Sequence, residues 1–322
     1  MRRSSALVSS LAVVAVLAAT LAGCAAASDD ASACTPALSP GSASELVTAT
    51  GDAGTQPTVS IPAPLVSTTS QRSVLSTGTG IVAQDGMTVD IDAVLLDGSD
   101  GTLLDATAYD TSNFFTEAGA DGAMYEALVC AQPGTRIAVT SQLGDSGLNV
   151  TSTDESDLKR TVVIVIDVIA VYLGKADGVN QLPLDGMPTV VTAPDGTPGI
   201  TVLDGEPPAE TRVATIKAGG GARVADGDDV VLHTARWSWT ADGLTTGTST
   251  WDTVPYLQSL ADDASDGTSS TGETLPDAVR TALVGARVGS QLLVVVPVAD
   301  TDGTADVLVI DVLGIQATTD TK

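Results

Sequence analysis

Short runs of Val, Ile, Leu and Thr, broken by Gly, Asp and Pro, fill the chain beyond Glu45, which is the pattern of antiparallel strands. The spacing predicts strands over residues 58–62, 72–76, 88–96, 136–142 and 161–172. A second series follows over residues 200–203, 212–218, 229–239, 291–297 and 306–315. Two stretches change period. Residues 121–131 put Met124, Leu128 and Ala127 or Ala131 on one helical stripe, and residues 275–286 do the same with Val279, Leu283 and Ala286. Thr274 suits the N-cap of the second helix, with Pro276 in its first turn. Each series therefore predicts an α+β unit of five or six antiparallel strands and one short helix packed on a sheet face.

The two series share more than periodicity. Gly227-Asp228-Asp229-Val230 opens the long strand of the second, Trp251-Asp252 follows, and then come the helix and a Val-rich strand ending at Pro297. In the first, Gly86-Met87-Thr88-Val89 opens the strand, and Tyr109-Asp110-Thr111-Ser112 precedes the helix. An ordered set of matches marks an internal repeat. It divides the chain into units over residues 45–175 and 191–316, a Gly- and Pro-bearing linker over 176–190, and a tail over 317–322.

The N-terminus is a processing segment rather than part of the fold. Arg2 and Arg3 precede an apolar run, and Leu21-Ala22-Gly23-Cys24 has the form of a lipoprotein cleavage site. The reading is a signal peptide over residues 1–23, a diacylglyceryl anchor on Cys24, and a flexible Ala/Ser-rich tether over 24–44. No later run reaches the about 18 apolar residues of a membrane span; the nearest, from Val162 to Val171, carries Asp167. Export makes a disulfide between the remaining Cys34 and Cys130 the expected pairing.

The balance of 40 acidic to 14 basic residues argues against nucleic-acid partners, since no basic stripe exists to neutralise phosphates. Conventional hydrolytic chemistry is scarcely available. His233 is the single histidine and sits within a strand pattern, where it reads as a packed residue rather than a base. Asp300, Asp302 and Asp306 around Gly303 read as an acidic turn, so no metal or other cofactor is expected. The aromatic residues are more telling. Tyr109, Phe114, Phe115 and Tyr125 gather in one window, and Trp237, Trp239, Trp251 and Tyr256 in the other, which suggests an apolar concavity in each repeat.

Both repeats resemble FKBP-type peptidyl-prolyl cis-trans isomerase domains. The likeness lies in the Gly-Asp-x-Val opening, the aromatic-Asp step, the helix, and the run Gly285-Ala286-Arg287-Val288-Gly289-Ser290 before a Val strand ending in Pro. It implies two tandem domains, each a bent sheet wrapped around its helix, with a proline-binding pocket between them. It places Tyr109, Asp110, Trp251 and Asp252 at the catalytic stations. Phe114, Phe115, Met124, Tyr256 and Val279 become substrate-binding residues. Met124 and Val279 stand where the family has a pocket-floor Trp, and Asp92 and His233 where it has a strand Tyr; no rim Tyr is present. The implied partners are unfolded or proline-containing exported polypeptides, with weak turnover by an anchored folding factor; the alternative is a non-catalytic chaperone or proline-peptide-binding module on the same fold.

Overall fold

The computed structural model describes residues 34–110, 112–201, 206–261, 275–298 and 303–316. Cys24, Thr274, Asp300 and Asp302 lie outside them. The described elements are largely antiparallel strands. The first half runs β1 (Thr48–Thr50), β2 (Thr58–Ser60), β3 (Gln71–Ser76), β4 (Thr88–Asp97), β5 (Leu103–Ala106), β6 (Phe115–Glu117), α1 (Ala123–Glu126), β7 (Arg136–Gln142), α2 (Glu155–Leu158) and β8 (Thr161–Tyr172). The second runs β9 (Val179–Asn180), β10 (Thr189–Thr192), β11 (Pro198–Thr201), β12 (Arg212–Ala218), β13 (Asp229–Thr240), β14 (Gly243–Ser249), β15 (Tyr256–Ser259), α3 (Asp277–Leu283), β16 (Gln291–Pro297) and β17 (Thr304–Ile315).

The repeat extends to topology. The first sheet has the order β3-β7-β8-β4-β5, with β6 also pairing β4. The second has the order β12-β16-β17-β13-β14, with β15 on β13, plus β9 outside β12. Strand for strand the orders coincide, and α1 and α3 enter at the same point of each. The second sheet thus has seven strands rather than five or six, because β9, within the segment read as a linker, adds to its edge.

Both faces of each sheet are covered, and this explains the composition of the long strands. On the helix side of the first sheet, Ile91, Ile137, Ile164 and Ile166 pack with Met124 and Leu128. On the other side, Val94, Leu96, Val163 and Val165 pack under Leu65 and the β1–β2 hairpin residues Ala49 and Val59. A strand buried on both faces reads as a continuous apolar run rather than an alternation, as β8 does. In the second half the β10–β11 hairpin plays the same part, with Val190 and Ile200 over Leu293, Val295 and Val307. Residues 58–60 and 200–201, within segments expected as strands, belong to these covering hairpins rather than to the main sheets.

The helices are shorter than their stripes. Gly122 (φ 115°) and Cys130 (φ 68°) leave the helical region on either side of α1. The carbonyl of Ala127 accepts from Arg72 Nε at 2.7 Å instead of continuing the ladder. Pro276 stands outside the first turn of α3 with ψ 143°, and Gly285 (φ 89°) follows its end. A further one-turn helix, α2, is capped by Asp154, whose carboxylate accepts from Ser156 N at 2.8 Å.

Residues 34–44, read as tether, are fastened down. Cys34 is disulfide-bonded to Cys130, and the Gln71 side chain accepts from the amides of Ala43 and Ser44. The halves also touch. Phe115, Tyr172, Val231 and Leu313 form one shared apolar cluster, and the amide of Leu173 donates to the carbonyl of Leu313 at 3.2 Å.

Candidate functional site

A cavity of about 300 Å³ opens between the first sheet and α1. Ala93 and Leu95 of β4 and Ala106 of β5 form one wall, Met124 of α1 and Ile164 of β8 the floor, and Leu148 and Phe114 the sides. Met124 is only 4% exposed while Phe114 is 45% exposed, so one forms the base and the other the mouth. Asp105, Thr107, Ser112 and Asn113 supply polar groups at the rim. The enclosure is apolar with a few convergent polar groups, the usual character of a small-ligand or side-chain pocket.

Of the first-repeat candidates, the fold brings Phe114 and Met124 together at this cavity and sends the others elsewhere. Phe115 alternates to a buried position, where it packs edge-on against Tyr172 with centroids 6.0 Å apart at the junction of the halves. Tyr109 adopts φ 51° and packs against the opposite face of the sheet. Its hydroxyl is buried without a hydrogen-bond partner among the described residues. Burial, then the carboxylates of Asp167 and Asp92, push its phenol well above the usual range. Asp110 is exposed, and its carboxylate accepts from Ser112 N at 2.7 Å within its own turn; that hydrogen bond holds its pKa low. The catalytic stations expected of Tyr109 and Asp110 are therefore not at the cavity: the chain reversal at Tyr109 turns the ring away, and the turn consumes the carboxylate.

Asp92 is displaced for a simpler reason. Side chains alternate along a strand, and the cavity-facing residue of β4 is Ala93. Asp92 faces the other side and accepts from Thr107 Oγ1 at 2.6 Å. Ala93, Leu95, Ala106, Leu148 and Ile164 were not singled out from the sequence. Leu148 alone carried a signal, as an apolar residue inside a Gly/Ser/Asp-rich loop.

The second repeat does not reproduce the cavity from its four candidates. Tyr256 and Val279 are both 0% exposed and sealed in the core with Leu232, Leu275 and Leu283. Trp251 lies elsewhere, stacked flat on His233 with ring centroids 4.2 Å apart and planes 18° from parallel. Together they line a polar cleft of about 600 Å³ that also takes in Asp85, Thr116 and Glu117 of the first half. Asp252 is exposed at its turn. The larger aromatic at this station stacks on His233 because the strand histidine faces it, an arrangement the first repeat lacks.

His233 is 7% exposed, and its Nδ1 lies 2.8 Å from Thr250 Oγ1. Burial lowers its pKa to about 4, so the ring is neutral near pH 7. Its one hydrogen-bond partner among the described residues is a threonine hydroxyl already engaged with the Thr234 amide at 2.9 Å, a structural and not a nucleophile–base geometry. Among the described residues, no group of three His, Cys, Asp or Glu is placed to hold a metal ion.

No family model matches the chain, and no curated protein matches it. Among solved structures it is similar to the three FKBP domains of wheat FKBP73, at 11% identity and a TM-score of 0.31 over 77% of this chain and 94% of that one. It is also similar to a peptidyl-prolyl cis-trans isomerase from Pseudomonas syringae pv. tomato, at 20% identity and a TM-score of 0.26 over 32% of this chain and 74% of that one. The N-terminal domain of Arabidopsis thaliana FKBP42 gives 12% identity and 0.28 over 38% and 98%. Likenesses this distant carry no weight for function, which has to rest on the cavity.

Proposed function

We propose that the chain is an exported, lipid-anchored FKBP-like protein. Its first repeat takes proline-containing segments into the cavity above Met124 and eases rotation about their X–Pro bonds. The observation that supports this is the cavity's make-up: an apolar floor and walls, an aromatic at the mouth, and polar groups confined to the rim. Amide rotation meets a barrier of about 18–20 kcal/mol because resonance is broken at the twisted state. The twisted amide is less polar than the planar one, so an apolar enclosure favours it without nucleophile or metal. Met124 is a softer floor than an indole, and neither Tyr109 nor Asp110 reaches the reacting bond. Turnover is accordingly weak: if the pocket lowers the barrier by about 3 kcal/mol, acceleration is on the order of a hundredfold.

In this reading one pocket works. The second repeat serves as a packed partner, its equivalent of the floor closed by Tyr256 and Val279. Cys24 carries the lipid, and the two units over residues 45–175 and 191–316 stand on the membrane's outer side with unfolded exported polypeptides as clients. The test is a protease-coupled isomerisation assay on the mature chain, comparing wild type with Ala106→Trp, which fills the cavity from edge strand β5. The reading expects turnover above buffer in the wild type and loss of it in the variant. Wild-type turnover equal to buffer, with no peptide binding, contradicts it.

A further inference from the structure

Besides Asp97 at its end, strand β4 carries two buried acids within its length, Asp90 at 3% and Asp92 at 7% exposure. A buried carboxylate is costly unless its oxygens are hydrogen-bonded. Both spend them on a single crossing segment, the stretch of chain that leaves β5 and forms the mouth of the cavity. Asp92 Oδ1 accepts from Thr107 Oγ1 at 2.6 Å, at the start of that segment. Asp90 holds its end with both oxygens: Oδ1 accepts from the Phe114 amide at 2.9 Å and Oδ2 from Asn113 Nδ2 at 2.5 Å. The Phe114 carbonyl in turn accepts from Ile91 N at 3.1 Å, so the backbone on both sides of the ring is tied to β4.

We infer that Asp90 is the positioning residue of the cavity: its carboxylate fixes the Asn113–Phe114 backbone so that the Phe114 ring stands at the mouth as a preformed wall for the incoming segment. The inference rests on reading the cavity as a peptide site. Asp90 itself does not line the cavity; it acts through Phe114. Without it, Phe114 is an aromatic side chain on an exposed turn, free to turn into solvent, and an incoming peptide has to order the turn as it binds. The requirement is for two hydrogen-bonding atoms at this point, one of them an acceptor for the Phe114 amide. An asparagine at position 90 can meet it, because its carbonyl still accepts from the Phe114 amide and its NH₂ can donate to Asn113 once that amide turns over. A valine of similar size cannot.

The experiment uses the mature chain in wild-type, Asp90→Val, Asp90→Asn and Asn113→Leu forms, the last sparing the core should Asp90→Val fail to fold. Two quantities are read: hydrogen exchange of the Phe114 amide, and the Kd for an Ala-Ala-Pro-Phe tetrapeptide. In Asp90→Val we expect Phe114 exchange and Kd both to rise about tenfold or more, with Asp90→Asn within about threefold of wild type in each. Asn113→Leu falls between them. Unchanged Phe114 exchange in Asp90→Val and Asn113→Leu overturns the inference, and so does faster exchange with unchanged peptide Kd, which is what a purely structural carboxylate gives. A wild-type protein that binds no peptide overturns the functional reading and with it the role of Asp90 in that site. The exchange measurement then shows separately whether the turn is clamped at all.

Discussion

Acidification should expose His233 as a specific weak point of the second sheet. Desolvation lowers its folded-state pKa from 6.5 to about 4. As pH falls below 6.5, the unfolded chain takes up a proton that the folded chain refuses. The unfolded state then binds more protons, and stability falls with pH through the window between those values. At about 1.4 kcal/mol per tenfold change in proton concentration the full loss is about 3 kcal/mol, of which about 2.5 has gone by pH 4.5. Stacking on Trp251 pulls the other way, since an indole face favours the charged ring by about 0.5–1 kcal/mol. The net expectation is a loss of about 2 kcal/mol. His233→Asn removes the titration while leaving an amide near Thr250 Oγ1. Urea unfolding at pH 7.5 and 4.5, followed by far-UV circular dichroism, gives the difference for each protein, and acid titration of the carboxylates common to both cancels. Wild type should lose about 2 kcal/mol more than the variant. Parallel losses, within about 0.5 kcal/mol, would refute the reasoning and mean that the ring is hydrated or already charged.

Three further outcomes follow from the first half. Asp167→Ala should destabilise the protein by about 3–5 kcal/mol in chemical denaturation, because it strands the buried Arg136, whose Nε and Nη2 each lie 2.6 Å from its carboxylate. Tyr109→Phe should be neutral or slightly stabilising in the same assay, since the lost hydroxyl is buried without a partner among the described residues. Cys130→Ser should lower stability by about 2–5 kcal/mol, as the disulfide spans 96 residues of sequence and long loops gain most from closure; an unchanged denaturation midpoint would show that the tail is held by its other contacts.

What could be read from the sequence was what depends on local pattern. Strands β7, β8, β12 and β16 fall on the predicted residues because each is a stretch rich in Val, Ile, Leu or Thr with a glycine one or two residues from an end. Asp167, the residue that argued against a membrane span, is the partner of Arg136 across adjacent strands. What could not be read depends on direction and distance. Tyr109 faces away from the cavity because one residue takes a left-handed φ, which no periodicity records. Asp92 and Ala93 are neighbours in sequence on opposite faces, so a register error of one residue exchanged a cavity wall for an outer-face hydrogen bond. The hairpins β1–β2 and β10–β11 look like any short strands; only the need to cover a second apolar face explains their place. Tyr256 and Val279 were expected to open a pocket and instead close one, a difference of packing that similar residue types conceal.

The most direct test of the account follows the methionine methyl groups. Of the three methionines among the described residues, Met87, Met124 and Met187, Met124 alone lines the cavity, while Met187 belongs to the apolar layer on the far side of the second sheet. Titrating ¹³C-methyl-labelled protein with an X–Pro tetrapeptide should shift the Met124 methyl resonance and leave Met187 in place. A peptide that binds without moving Met124, or that moves Met187 instead, contradicts the placement of the site.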